Sequence, residues 1–203
     1  MKPIKSQSIN ETEIVEKAQA GDKSAIAYLV NTYSSRIYSL ALRIMRHEED
    51  AEDVLQETFI LMIRKISTFS GKSSFYTWLY RVATNVALGK LREKKYSDKT
   101  ISIDEPDFQS FKGYQLSEWP DHLEEKLDDE AFRSCLTMAM EELSDNYRAV
   151  FVLRDLENIS TRETSAILNL TDANVKVRLM RARLFLRDQL ANHLKCVGLP
   201  DGA

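Results

Sequence analysis

Apolar residues at Ile26, Leu29, Val30, Tyr33, Ile37, Leu40, Ala41 and Ile44 recur three and four positions apart, the spacing of one face of a helix. Asp22, directly after Gly21, suits the N-cap of that helix, which is either unbroken or interrupted near residues 31–34. A second helix is predicted from Val54, Leu55, Phe59, Met62 and Ile66, which share one side, while Asp53, Gln56 and Glu57 turn elsewhere; Asp50 is the expected cap. After a polar loop over residues 67–74, Phe75, Trp78, Leu79, Val82, Ala83 and Val86 form the buried stripe of a third. These helices are expected to pack as a compact all-helical domain ending near Lys95.

Beyond Tyr96 the periodicity fades, and Pro106, Gly113 and Pro120 punctuate an acidic stretch that reads as a linker. Its aromatics, Phe108, Phe111, Tyr114 and Trp119, are unusual in a solvated tether and suggest that it docks on something. Helical spacing resumes around Leu123 and continues through Leu127, Phe132, Leu136 and Met140. Ser144 can cap a helix carrying Tyr147, Val150, Phe151 and Leu153, and Ser160-Thr-Arg-Glu163 has the capping-box spacing. Thr171-Asp172 can open a longer basic helix running to about Leu190, so a short helix, a turn at residues 169–172 and this helix make a helix-turn-helix. No β-strand pattern, internal repeat or low-complexity tract competes. The fold class is therefore all-α: two small helical domains joined by an acidic linker, the C-terminal one a helix-turn-helix. The divisions are residues 1–20 (tail), 21–95, 96–122 (linker), 123–192 and 193–203 (tail).

A chain of 203 residues, 43% hydrophobic and 29% charged, falls in the ordinary range for a globular protein with room for real cores. The first residues carry lysines without an apolar stretch after them, and the densest apolar run, residues 59–63, is too short to span a bilayer. A cytoplasmic protein without membrane insertion is expected. Cys135 and Cys196 are far apart and outside any Cys-x-x-Cys spacing, so a disulfide framework is not expected. His193 and Cys196 offer two metal ligands with no matching half-site, so no metal is expected. With no phosphate-binding glycine loop and no Ser/His/Asp arrangement, neither catalysis nor a cofactor is expected.

The net charge of −3 is unevenly spread. Residues 64–95 hold eight Lys or Arg against one acid, residues 97–130 eleven acids against three lysines, and residues 173–187 five bases and no acid. Two cationic surfaces that could meet phosphates are thus hidden in an acidic average.

Three clusters carry candidate chemistry. Carboxylates at Asp50, Glu52 and Asp53 sit well near a helix N-terminus, whose unpaired amides and dipole favour negative charge, and this alone explains part of the pattern. On the third helix, Phe75 and Trp78 read as core. Tyr76 and Tyr80 fall toward another face beside Lys72, Thr77, Arg81 and Asn85, a mixture that suits unpaired DNA: rings stack on bases, cations hold phosphates and an amide can read a base edge. On the last helix, Lys176, Arg178, Arg181 and Arg183 alternate with Val175, Val177, Leu179 and Leu184, which fits either a solvated basic face or a helix laid in a major groove.

The strings Asp50-Ala-Glu-Asp-Val-Leu-Gln-Glu-Thr-Phe59 and Gly71-Lys-Ser-Ser-Phe-Tyr-Thr-Trp-Leu-Tyr-Arg-Val-Ala-Thr-Asn85 resemble the second region of bacterial sigma factors of the extracytoplasmic-function class, and residues 143–183 resemble their fourth region. The likeness covers about residues 21–95 and 123–190. It implies that Asp50, Glu52, Asp53, Gln56 and Glu57 bind core RNA polymerase, through the coiled coil of the β′ clamp, with the β subunit as a further partner. It implies that Ser70, Gly71, Lys72, Ser73 and Ser74 form a pocket for a flipped base of the minus-ten element, helped by Tyr76, Thr77, Tyr80, Arg81 and Asn85. It also implies that Arg162, Asp172, Ala173, Asn174, Lys176, Val177, Arg178, Arg181 and Arg183 meet the minus-thirty-five element. The chain departs from the family pattern at Gly89, Thr164, Ser165 and Asn169; asparagine tolerates the left-handed turn expected at the last.

On this reading the partners are core RNA polymerase, promoter DNA and an anti-sigma factor. Two rivals stand beside it. A sigma mimic that sequesters an anti-sigma factor would have lost its DNA-facing cations, and a repressor acting without polymerase would leave residues 50–59 unexplained. The acids of residues 97–130 are also expected to fold over the chain's own cationic helices and mask them.

Overall fold

A computed structural model describes residues 11–97 and 129–197. Most of the linker therefore lies outside the described residues, as do its four aromatics, the helical spacing at Leu123 and Leu127, and the side chains of His193 and Cys196. Among the described residues every regular element is a helix. Residues 11–19, expected to belong to a tail, form α1 (Glu11–Gln19), which buries Val15 and Ala18, three apart, against the next helix.

That helix, α2 (Lys23–Met45), is capped as the sequence predicts: the amides of Ser24 and Ala25 donate to the Asp22 carboxylate at 2.7 and 3.1 Å. It runs without a break through residues 31–34. The hydroxyls of Thr32 and Ser34 donate back to the carbonyls of Tyr28 and Val30, so their hydrogen-bonding capacity is met inside the helix instead of unwinding it. A left-handed Arg46 (φ 67°) ends the helix. α3 (Glu48–Lys65) then begins two residues before the expected cap: His47 takes the cap position with no side-chain bond, and Asp50 lies in the first turn with Glu48 and Glu49. The helix dipole stabilises that cluster without a capping hydrogen bond. A 3-10 turn (Ile66–Thr68) and a loop lead into α4 (Phe75–Ser97). α2 packs on both α3 and α4, with Ile37, Leu40, Ile44, Val54, Met62 and Leu79 fully enclosed.

In the C-terminal half, α5 (Glu130–Glu142) is capped by the Asp129 carboxylate. α6 (Asp145–Phe151) opens at Ser144, which occupies the cap position but makes no capping bond there, and passes into one π-helical turn (Val152–Leu156). α7 (Thr161–Leu168) starts with the expected capping box between Ser160 and Glu163 and stops at Asn169 (φ 54°), whose left-handed backbone performs the turn. α8 (Asp172–Val197) follows, buries Val175, Leu179, Ala182, Leu186 and Leu190, and lies across α5, α6 and α7. The helix-turn-helix is thus α7, the turn and α8. Thr164 and Ser165, where the family pattern differs, are buried and spend their hydroxyls on the carbonyls of Ile159 and Arg162.

The two halves are in contact. α7 packs on α4, and α6 with the π-helical turn packs on α2. Arg148 is fully enclosed at this junction: its Nε donates to the carbonyl of Ile44 (3.1 Å), its Nη1 to those of Leu143 (2.9 Å) and Met140 (3.3 Å), and its Nη2 to the Asp145 carboxylate. Burial, together with the charge of Arg46, lowers its pKa to about 10, and Asp145 counteracts them. A guanidinium suits this position because its planar fork can serve three helix-end carbonyls and a carboxylate at once.

Replacing Arg148 by methionine keeps the bulk and removes the donors to the Ile44 and Leu143 carbonyls and to the Asp145 carboxylate. The variant is expected to lose about 3 kcal/mol of stability, read as a lowered urea midpoint, and Arg148→Lys is expected to recover only part of it.

Candidate functional site

The acidic face of α3 is tied to α4. Lys94 donates to Asp50 at 2.6 Å, and Lys90 lies 3.3 Å from Asp53 and 3.7 Å from Glu57. Each pair joins an exposed side chain to a partly covered one at the surface, so each contributes little to stability, about 0–1 kcal/mol, but they leave the face less negative than its sequence implies. Glu52 and Gln56 are exposed beside them. One and two turns on from Gln56, Ile60 and Ile63 stand about half exposed, at 49% each. The acidic string therefore runs into an apolar patch. A run of five apolar residues cannot all face inward on a helix, which was the available signal for it.

The loop before α4 exposes Ser70, Gly71, Lys72, Ser73 and Ser74, and Gly71 takes a left-handed backbone (φ 70°). Its floor is aromatic: Phe69 and Phe75 meet edge to face at 5.8 Å, Trp78 lies 5.5 Å from Phe69, and Tyr33 lies 5.5 Å from Phe75. Between loop and floor is a cavity of about 510 Å³ whose far wall is α1. The Gln19 amide on α1 donates to the carbonyls of Ile66 (3.0 Å) and Phe69 (2.7 Å), holding the chain where it enters the loop. Nothing in the spacing of residues 1–20 signals that role.

The face expected to meet DNA is divided. Lys72, Arg81 and Asn85 are exposed. Tyr76 is half-buried, with the Arg36 guanidinium 6.0 Å from its ring centroid and the Tyr80 ring 4.1 Å away. Thr77 and Tyr80 are buried against the C-terminal half. The Tyr80 hydroxyl donates to Glu157 (2.8 Å), which also pairs with Arg43, and the Thr77 hydroxyl donates to Glu163 (2.7 Å). Because a carboxylate only accepts, the direction of the remaining bond follows. Ser74 donates its hydroxyl proton to Thr77 Oγ1 (2.8 Å) and accepts from the Thr77 amide (3.0 Å), so the loop end, α4 and α7 are linked in series. Burial pushes the Tyr80 hydroxyl well above the usual tyrosine range, reinforced by Tyr76 and Glu157, and raises Tyr76 as well. Glu163 is held below the usual glutamate range, first by its bond from Ser160 and then by that from Thr77.

On α8, Asp172, Ala173, Asn174, Lys176 and Val177 form an exposed run at the N-terminal end, and Arg162 of α7 is exposed as well. Val177, 43% exposed, does not join the apolar face with Val175, Leu179 and Leu184. Arg178 is half-buried. The Tyr147 hydroxyl accepts from Arg181 at 3.3 Å, and Arg183 makes a bidentate pair with the buried Asp155, 2.7 Å on each arm. Arg183 is thus committed to the fold of this half. Among the described residues no group of three His, Cys, Asp or Glu could hold a metal, and no helix is long and apolar enough to cross a membrane.

Comparison with known proteins matches residues 29–96 to the Sigma-70 region 2 family and residues 133–186 to Sigma-70, region 4. The chain is 30% identical over 175 residues to the RNA polymerase sigma-H factor of Pseudomonas aeruginosa, covering 85% of this chain and 90% of that protein. It is 31% identical over 178 residues to the ECF RNA polymerase sigma-E factor of Escherichia coli (strain K12), covering 88% and 93%. Among solved structures it resembles CnrH in complex with the cytosolic domain of CnrY (TM-score 0.62, 21% identity, 90% of this chain and 97% of that one). It also resembles the sigma factor RpoE in complex with the anti-sigma factor NepR from Bartonella quintana (TM-score 0.58, 21% identity, 81% and 96%). At these identities the structures establish a shared fold.

Glu163 closes the capping box of α7 and also accepts from Thr77, so Glu163→Ala is expected to cost about 1 kcal/mol from the cap alone. Its depressed pKa sets the pH dependence: the contribution is full above the ordinary glutamate range and is lost as pH falls through the depressed value. Urea unfolding of both proteins across acid pH should show the gap between their midpoints narrowing as pH falls.

Proposed function

The chain belongs to the sigma-70 family, in its extracytoplasmic-function (ECF) class, and from that premise we propose which of its surfaces meet core RNA polymerase and which read promoter DNA. It is an RNA polymerase sigma factor and not an enzyme: its partners are core polymerase and promoter DNA, and its work is done by binding. The observation that carries the assignment is the joint presence, in family order, of both regions on one chain, each with an exposed polar face.

Residues 21–95 are the unit for core polymerase and the minus-ten element, residues 96–122 the link, and residues 123–192 the unit for the minus-thirty-five element. Asp53, Gln56 and Glu57, with Asp50 and Glu52, meet the polymerase clamp, and Ile60 and Ile63 supply an apolar centre to the same contact, with the polar residues as its rim. The loop 70–74 with Tyr76, Arg81 and Asn85 takes up the opened strand. Asp172, Ala173, Asn174, Lys176, Val177 and Arg178, joined by Arg162 and Arg181, lie in the upstream major groove, where phosphate contacts position the helix and base contacts specify. The protein works in the cytoplasm, and an anti-sigma factor is its natural inhibitor, as in the RpoE–NepR complex. The exposed Lys72 and Arg81 speak against a mimic that has given up DNA.

Thr77 and Tyr80 are enclosed by the C-terminal half in the arrangement described here, so engagement of the minus-ten strand by these two requires the halves to separate. The closed form is the resting form of the free protein. Glu157 and Glu163, placed on the C-terminal half itself, are carboxylates that mask Tyr80 and Thr77; the linker acids expected to mask the cationic helices lie, but for Asp129 and Glu130, outside the described residues.

Run-off transcription from a genomic fragment library, with core polymerase alone and with this protein, tests the assignment as a whole: new transcripts are expected only with the protein. The triple change Asp53→Ala, Gln56→Ala, Glu57→Ala should abolish co-purification with core enzyme at unchanged helical content. Arg178→Ala with Arg181→Ala should weaken upstream duplex binding, while Lys72→Ala, Tyr76→Ala or Asn85→Ala should reduce permanganate reactivity at the minus-ten element. Equal effects of both sets on both elements would defeat the separation of roles.

Glu157→Ala removes the acceptor shared by Tyr80 and Arg43. It is expected to raise the affinity of the polymerase-free protein for single-stranded minus-ten DNA several-fold, measured by fluorescence anisotropy, with a larger hydrodynamic radius. An unchanged affinity and radius would show that Glu157 does not hold the halves together.

A further inference from the structure

The Sigma-70 region 2 match begins at residue 29, so α1 lies outside it. Nevertheless α1 supplies a whole wall of the cavity beneath the 69–74 loop, with Glu11, Val15, Glu16 and Gln19 facing Phe69, Gly71 and Phe75 across it. At about 510 Å³ the cavity falls within the range of roughly 300–1,000 Å³ usual for small-ligand sites.

Two features of its lining say what fits. It holds two carboxylates and neither lysine nor arginine, so a phosphate is repelled, whereas the half-buried ring of Phe69, backed by Phe75, offers a surface for a planar, uncharged ring. The carboxylates also differ in availability. Glu11 already accepts from the Tyr33 hydroxyl, while Glu16 is exposed at the wall. A carboxylate can only accept hydrogen bonds. It therefore favours a base edge bearing an exocyclic amino group and disfavours thymine, whose single N–H is flanked by two carbonyl oxygens.

We propose that α1 is a working part of the strand-opening pocket: Gln19 is a positioning residue that fixes the loop through the Ile66 and Phe69 carbonyls, and Glu16 selects a base with an amino group over thymine. The inference rests on the reading of the loop as the part that receives an unstacked base.

The test uses the full chain bound to core polymerase, on a promoter obtained by run-off transcription, with the minus-ten positions randomised one at a time. Members retained in heparin-resistant open complexes are then sequenced. The wild type should deplete thymine at one position by roughly tenfold, the worth of one good base contact. Glu16→Gln, which can donate as well as accept, should flatten the preference at that position alone. Gln19→Glu keeps the size and removes the donors; it should lower open-complex yield for every base while core co-purification and upstream duplex binding stay unchanged.

An unaltered base profile in Glu16→Gln would overturn the selection role, and undiminished yield in Gln19→Glu the positioning role. If the wild type opens promoters but thymine is depleted nowhere, only the selection role fails. If the wild type opens no promoter, the strand-opening reading falls and this inference with it.

Discussion

The buried guanidinium of Arg148 is the interaction on which the arrangement of this chain depends. A cation taken out of water is costly unless it is hydrogen-bonded and paired. Here the acceptors are backbone carbonyls of Ile44, at the end of α2, and of Met140 and Leu143, at the end of α5, with the Asp145 carboxylate completing the set. Helix ends leave carbonyls unpaired by construction, and one side chain satisfies three of them from two different halves. An apolar residue of similar size could fill the volume as well, but it would not fix the angle at which α2 meets α5 and α6. The directionality of the hydrogen bonds does that.

With the halves so placed, α7 falls across α4, and the side chains that suit single-stranded DNA are partly spent on the protein itself. Tyr80 and Thr77 cannot donate to Glu157 and Glu163 and to DNA at once. The contact has a graded character. The Arg43 to Glu157 pair is 40% exposed on the arginine side and contributes little, whereas Tyr80 and Arg148 are fully enclosed. A partner that binds only the separated form shifts the balance by its difference in affinity for the two forms, and a partner that binds the closed form shifts it the other way. On the proposed reading of the closed form as the resting form, activation and inhibition share one interface, with no chemistry needed at either step.

The same economy appears on the surface. The acids of α3 and the lysines of α4 face one another along antiparallel helices, so a face that is strongly negative in sequence is moderated in space. On the proposed reading of this face as the polymerase contact, its specificity draws more on shape and on the neighbouring Ile60 and Ile63 than on charge alone. At α8 the division runs along the helix: the N-terminal end carries exposed polar groups, while Arg183 further along is locked to Asp155 and ties α8 to the π-helical turn.

The sequence by itself determined the helices, their caps and the class of fold. Asp22, the Ser160 to Glu163 box and the left-handed Asn169 act within a few residues, and apolar periodicity reports the inward face of each helix without knowing its neighbour. Local signals left one question open and overreached on another: α2 runs unbroken through residues 31–34, where back-bonding satisfies the hydroxyls, and Asp50 does not cap α3, where the helix dipole serves instead. Only the tertiary structure decided which exposed-looking positions are covered. That Thr77 and Tyr80 lie under α7, that Gln19 grips a loop some fifty positions away, and that Arg148 is core and not surface all depend on contacts between residues far apart in the chain. Periodicity assigns a side chain to a face of its helix, and the burial of that face is set by whichever distant element packs there.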